Sequence, residues 1–294
     1  MKILLLGKNG QIGWELNRSL LPLGEVIALD RLGADLSKPE RLRHIICDVK
    51  PDVIVNASAY TAVDKAEEGE ELATIINGNA VGVIAEEALK LKALFVHYST
   101  DYVFDGTIPE TYTEEDTPNP INAYGRSKLL GERKIIASGC NHLILRTAWV
   151  YSTRGENFAK TMLRLARERD KLNVINDQAG APTGADLVAD ITAHTIRILQ
   201  HRPELSGLYH LVAGGETSWY GYANFVIDFA RRMGVELKVA PNAVQPVPTS
   251  AFPTLAKRPH NSRMDTTKLQ QAFDLTLPLW QTGVTRMLTE TLDR

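Results

Sequence analysis

Along the chain, short runs of nearly unbroken apolar residues alternate with longer stretches in which apolar positions recur every three or four residues. The runs are KILLLG (2–7), EVIALD (25–30), PDVIVNAS (51–58), ALFVHYST (93–100), HLILRTAWVY (142–151) and LNVIN (172–176). Between them lie helical patterns such as AVGVIAEEALKLK (80–92) and NFAKTMLRLARERDK (157–171). Strands that are apolar on both faces point to a parallel sheet covered by helices on each side. The alternation therefore predicts an α/β protein with a doubly wound parallel sheet. After about residue 216 the pattern changes to a helix, SWYGYANFVIDFARRMG, and then to VAPNAVQPVPTSAFPTLAKRPHNS, where five prolines argue against any regular element. This change predicts a main domain, residues 1–152 and 184–217, and a smaller C-terminal lobe, residues 153–183 and 218–294, facing the strand ends.

At 294 residues the chain is long enough to bury a substantial core, and its 44% hydrophobic and 23% charged residues are ordinary for a globular protein. A formal net charge of −2, with no concentration of basic residues, gives nucleic acid or an anionic membrane no purchase, so a small-molecule substrate is expected. The N-terminal apolar run is too short for a signal peptide, and no run approaches a membrane span. Cys47 and Cys140 stand alone, without CxxC spacing, and are expected to be reduced and buried. Together these features predict a cytoplasmic protein.

The first stretch with chemistry in it is GKNGQIG. Gly7 allows a tight turn after the first strand, Gly10 allows a pyrophosphate to approach the backbone, and Gly13 allows a helix to pack closely on the sheet. Asp30 ends the second strand where a ribose-binding carboxylate is expected. It favours NADH, whereas Arg31 beside it suits a 2′-phosphate, so NADH and NADPH both stay open. Asp35 and Leu36 are candidates for an adenine edge, with a helix N-cap at Ser37 as the competing reading. The main domain is thus expected to be a Rossmann-type dinucleotide-binding domain and the lobe to bind substrate.

The second stretch is NAYGRSKLLGE (122–132). Tyr124 and Lys128 lie four apart, on one face of a helix. An ammonium beside a phenol favours the phenolate and lowers the tyrosine pKa, and the lysine can also hold a nicotinamide ribose. Elsewhere such a pair is simply a snorkelling lysine beside an amphipathic tyrosine. Here HYSTDYVFDG ends a buried strand with Ser99 and Thr100 at the carboxyl edge, where doubly wound sheets bind ligands and where a hydroxyl can meet a carbonyl oxygen. His97 reads as a packing residue at the strand end, and EEGEE (67–71) as a solvated helix start.

Thr100, Tyr124 and Lys128 behind a GxxGxxG turn resemble the extended short-chain dehydrogenase/reductase family over essentially the whole chain, and YSTDYVFDG, RTAWVY, VINDQAGAPTGADL, GLYHLVAGGETSW and RPHNSRMDT look like blocks of its nucleotide-sugar reductases. The resemblance implies reduction of the C4 keto group of a dTDP-linked 6-deoxy-4-ketohexose, with the nicotinamide cofactor consumed as reductant. It implies Thr100, Tyr124 and Lys128 as the catalytic residues. A cofactor site of Gly7, Gly10, Gln11, Ile12, Asp30, Asp35, Leu36, Ala59, Tyr60, Thr61 and Tyr98, shared with Tyr124 and Lys128, is implied as well. For substrate it implies Thr100, Asp101, Trp149, Arg258 and Asn261. Against these stand a capping role for Asp101, core packing for Trp149, and a plain turn with an N-cap for RPHNSRMD. Members of this group also form homodimers with a divalent metal such as Mg²⁺ at the interface, which would make Glu15, Asp186 and Glu290 ligands, although local spacing does not support that set. Two rivals are an NAD-retaining epimerase or dehydratase and a noncatalytic regulatory subunit like that of methionine adenosyltransferase. Tyr102, where dehydratases carry an acid, argues against the first, and the Thr100–Asp101 pair argues against the second.

Overall fold

The computed structural model describes residues 1–293. The apolar runs form strands β1 (Lys2–Leu6), β2 (Glu25–Leu29), β3 (Val53–Asn56), β4 (Leu94–Thr100) and β5 (His142–Thr147). Shorter strands follow: β6 (Val150–Tyr151), β7 (Leu172–Ile175), β8 (Ala179–Gly180), β9 (Thr183–Gly184), β10 (Gly207–His210), β11 (Thr217–Ser218) and β12 (Val244–Val247). The helices of the first half are α1 (Gln11–Ser19), α2 (Pro39–Val49), α3 (Val63–Glu68), α4 (Glu70–Thr74), α5 (Ala80–Leu91) and α6 (Ala123–Ser138). Those of the second half are α7 (Phe158–Glu168), α8 (Ala185–Leu199), α9 (Trp219–Arg232), α10 (Thr267–Phe273) and α11 (Trp280–Leu292).

The main sheet is parallel throughout, in the order β10-β5-β4-β3-β1-β2. Alternate residues feed two cores. Ile3, Leu5, Val53, Val55, Val96, Leu143 and Leu145 meet α1, α8 and α10 on one face. Leu4, Leu6, Ile54, Phe95 and Ile144 meet α2, α5 and Ile135 of α6 on the other. The winding direction reverses between β1 and β3, which leaves a crevice at the carboxyl ends of these strands. A third core, built from Tyr151, Met162, Leu172, Tyr222, Val226, Val284 and Leu288, belongs to the lobe.

Several expectations change. LNVIN does not join the main sheet: its strand β7 pairs with β12 in the lobe, and the sixth main strand is the short GLYH of β10. Pro246 lies within β12, in a two-stranded ribbon whose outer edge needs no N–H donor. The lobe is not the unbroken segment 218–294, because Leu269, Phe273 and Leu277 pack against the main sheet. Its first part starts earlier than 153, since Tyr151 packs in the lobe core. Cys140 is buried, but Cys47 is exposed on α2.

Candidate active site

At the end of β1 the chain turns through Gly7, whose φ of 87° is in the left-handed region, and Gly10 N–H donates to the Gly7 carbonyl at 3.0 Å. A side chain at Gly13 would put its Cβ 2.0 Å from that carbonyl oxygen, so only glycine lets α1 sit this close. Gly10 begins α1 without a side-chain cap, so the first-turn amides of the helix stay unclaimed by any side chain. They open on a cleft of about 820 Å³ that runs across the carboxyl ends of the strands. Gly7, Gly10, Gln11, Ile12, Asp30, Asp35, Leu36, Ala59, Tyr60, Thr61, Tyr98, Thr100, Asp101, Tyr124, Lys128 and Trp149 all line this one cleft. Asp30 Oδ1 accepts from the backbone N–H groups of Leu32 and Gly33, both at 3.1 Å, while the Arg31 side chain is 81% exposed. Ser37 is not the cap of α2: its hydroxyl donates to Asp35 at 2.8 Å, and Lys38 takes the cap position.

α6 is pinned at its start from several directions. Asn122 Oδ1 accepts from Gly125 N–H at 2.8 Å and its amide donates to the Lys257 carbonyl at 2.8 Å. Glu67 accepts from Ala123 N–H at 2.7 Å, and Glu70 holds Arg126 bidentately at 2.8 and 2.9 Å. Two of the EEGEE acids are therefore anchors of this helix and not merely solvated. Buried Asn77 adds a tie by accepting from Tyr60 N–H at 2.8 Å and donating to Ser127 Oγ at 2.9 Å, which joins the 59–61 loop to α6.

Burial pushes the Tyr124 phenol above its ordinary pKa, and nearby Asp101 adds to the effect. The structure thus reverses the expectation of a phenolate promoted by Lys128: the tyrosine is held protonated. Lys128, 2% exposed, donates to the Tyr98 carbonyl at 2.6 Å and touches His97 Nε2 at 3.1 Å. Its burial brings the ammonium pKa down to about 8 against the opposing pull of Glu132. Asp101 is pushed up to about 6 by burial, against the opposing pull of the Ser262 and Thr100 hydroxyls. Thr100 Oγ1 donates to Asp101 Oδ1 at 3.0 Å and accepts from Tyr102 N–H at 3.1 Å.

Residues 1–292 match the family described as the RmlD substrate binding domain. The chain belongs to this family. It is 55% identical to a dTDP-4-dehydrorhamnose reductase of Salmonella typhimurium over 99% of this chain and 98% of that one, and 48% identical to one of Burkholderia thailandensis over 97% of each. A crystal structure of the Bacillus anthracis dTDP-4-dehydrorhamnose reductase in complex with NADP superposes with a TM-score of 0.88, at 34% identity and 99% coverage of both chains.

Within this RmlD-family chain some expected contacts take another form. Trp149 lines the cleft at a positive φ of 48°, its indole stacked on Trp219 with ring centres 3.6 Å apart and planes 14° apart. Trp219 also lines the cleft, and nothing in the local sequence distinguished it from a core tryptophan of an amphipathic helix. Arg258 does not line the cleft: it pairs with Asp64 at 2.6 Å and touches the Thr254 hydroxyl. Asn261 is likewise outside it, because its amide nitrogen donates to the carbonyls of Ile108 and Glu110 at 2.8 and 2.6 Å and its oxygen accepts from Arg263. It acts as loop architecture. Glu15, Asp186 and Glu290 do converge on one small cavity, but Arg286 enters it and lies 3.4 Å from Asp186 and 3.1 Å from Glu290, while Glu15 is 3.5 Å from Arg18. Among the described residues no group of three potential ligands is placed to hold a metal ion, so the Mg²⁺ expectation finds no support: guanidinium groups supply the positive charge.

Proposed function

We propose that the chain reduces the C4 keto group of dTDP-4-dehydro-L-rhamnose to give dTDP-L-rhamnose, with NADH or NADPH as reductant. The observation that carries this reading is the half-buried Tyr124, its phenol shifted toward the protonated form, lining with Thr100 and Lys128 the same cleft as the glycine turn. The residues fit a dinucleotide. The turn offers uncapped helix amides to a pyrophosphate, and Gln11 Oε1, Ser99 Oγ and Thr147 Oγ1 are buried polar atoms along the cleft that have no protein partner. Asp30 Oδ2 accepts only a long bond from Asn9, at 3.4 Å, and lies 4.0 Å from Lys8, so it keeps lone-pair capacity for ribose hydroxyls, and the exposed Arg31 guanidinium beside it suits a 2′-phosphate.

The bound nicotinamide supplies the hydride that reaches the C4 carbon. Tyr124 holds the proton that the oxygen must receive, and its raised pKa keeps that proton in place until negative charge develops on the substrate. Thr100 turns its hydroxyl from Asp101 to the same oxygen, a change eased when Asp101 is itself protonated and no longer needs the bond. Lys128 fixes the floor of the cleft through the Tyr98 carbonyl. Tyr102, in the position where dehydratases carry an acid, is a half-buried phenol edge-on to Tyr124 at 5.8 Å and offers no carboxylate for elimination.

The test is absorbance at 340 nm on mixing purified protein with dTDP-4-dehydro-L-rhamnose and an excess of NADH, then of NADPH. Oxidation with stoichiometric formation of dTDP-L-rhamnose is expected with each. A folded protein that binds both cofactors and oxidises neither would overturn the reading.

A further inference from the structure

His97 on β4 is fully buried and lies between two side chains: Nε2 is 3.1 Å from Lys128 Nζ and Nδ1 is 3.3 Å from Asn56 Nδ2. The reaction described above makes no use of it. Burial and the adjacent lysine keep the ring neutral, well below its ordinary pKa. A neutral imidazole has one N–H and one lone pair, and which nitrogen carries the proton is decided by its partners.

Asn56 decides it here. Its Oδ1 accepts from the backbone N–H of Ser58 at 3.1 Å, which leaves the amide nitrogen, a donor only, facing Nδ1. Nδ1 must accept, so the ring proton sits on Nε2 and is directed at Lys128. Against an ammonium that N–H is one donor facing another. Against a neutral amine it meets a lone pair. The 2.6 Å bond from Nζ to the Tyr98 carbonyl is open to both forms of the lysine but is stronger from the ammonium, so it opposes the histidine.

We propose that His97 is a positioning residue for Lys128: held by Asn56 as the Nε2–H tautomer, it donates to the Nζ lone pair and thereby favours the amine form of the lysine. The proposal rests on the reading of Lys128 as part of the active site, and it adds the reason why this lysine gives up its proton readily. Each turnover removes one proton from the Tyr124 hydroxyl, and that proton must be restored from water. A lysine whose charged and neutral forms lie close in free energy near neutral pH can release a proton and regain one within a turnover. The other ionisable groups around it are Glu132, Tyr124 and Asp101. Glu132 favours the ammonium, but it is engaged bidentately by Arg146 at 3.0 and 2.7 Å. Tyr124 lies one turn back on α6, and Asp101 lines the same cleft.

Nitrogen-15 NMR of protein labelled at histidine and lysine tests this directly. His97 is expected to show an unprotonated Nδ1 and a protonated Nε2, with Lys128 titrating near pH 8. In His97→Gln the side-chain amide can rotate to offer its oxygen to the ammonium, so the Lys128 titration should move up by about one pH unit, the worth of one hydrogen bond. A proton on Nδ1, or an unchanged Lys128 titration in the variant, overturns the proposal. Should the variant not fold, the tautomer measured in the native protein decides alone. Because these readings need no turnover, a Lys128 that titrates as described yet leaves no trace in the pH–rate profile would argue against its role in the reaction and in favour of the hold that His97 has on it.

Discussion

At the scale of single residues, the site is organised by burial. Tyr124 and Asp101 are both shifted toward their protonated forms, which suits a site that gives a proton to a substrate. Tyr124→Phe should lower kcat by roughly a hundredfold or more while the cofactor Kd stays nearly unchanged, as measured by 340 nm kinetics and fluorescence titration. Near-normal turnover would remove the tyrosine from the mechanism. Asp101 makes a separate prediction for stability. Its folded pKa of about 6 lies above the ordinary carboxyl value of 3.8, so between these values the folded state binds more protons than the unfolded chain. Stability therefore falls as pH rises through that window and levels off above it. Asp101→Asn should raise the unfolding free energy at pH 8 by an amount on the order of 2–3 kcal/mol, and the gain should vanish below about pH 4. A pH-independent difference in urea melts would mean that the carboxyl is not desolvated. Glycine spacing and the Tyr124–Lys128 interval were legible in the sequence because each depends on residues a few positions apart. The direction of the Tyr124 shift was not, because burial and the approach of Asp101 arise only once β4 and α6 have packed.

At the scale of elements, α6 is the part that must be held still, and its anchors come from distant segments. Asn122 caps it and reaches the Lys257 carbonyl, Glu67 and Glu70 grip it from α3 and α4, and Gly125 lets it approach the Tyr102 carbonyl, which a Cβ would meet at 2.1 Å. Asn122→Ala should cost about 1–2 kcal/mol of stability through the lost cap, and it removes the donor that the Lys257 carbonyl uses. It should also lower kcat more than it raises KM, since Tyr124 sits in the first turn. An unchanged kcat in steady-state assays would show that the cap serves stability alone. The helix itself was evident from its sequence pattern. Its grips from Glu67 and Glu70 were not, since acids at a helix start look the same whether they face water or another helix 56 residues away in the chain.

At the scale of the whole molecule, the cleft is lined by the strand ends of the main sheet and, through Trp219, by α9 of the third core. The main sheet was readable from its apolar runs, but the boundary was less so. β10 is only four residues long and opens with glycine, and α10 returns to the main core through Leu269 and Phe273 after the chain has already built most of the lobe. Asp64, just past the 59–61 loop, ties α3 to the 254–258 segment by accepting from Ala256 N–H at 3.1 Å and pairing with Arg258. Asp64→Asn should loosen the 252–256 segment, where Phe252 and Leu255 are exposed, and limited proteolysis should cut there faster than in the native protein. Equal cleavage rates would mean that other contacts hold the segment.

The paired indoles of Trp149 and Trp219 have an optical consequence. Two chromophores 3.6 Å apart with planes only 14° from parallel share their excited states, so the protein should show an exciton couplet in circular dichroism and quenched tryptophan emission. One ring follows β5 and the other begins α9, so any motion that separates sheet from lobe breaks the pair. Loss of the couplet in Trp219→Phe would assign the signal. Its change on addition of a sugar nucleotide would then report, without any label, how far the two halves of the cleft move.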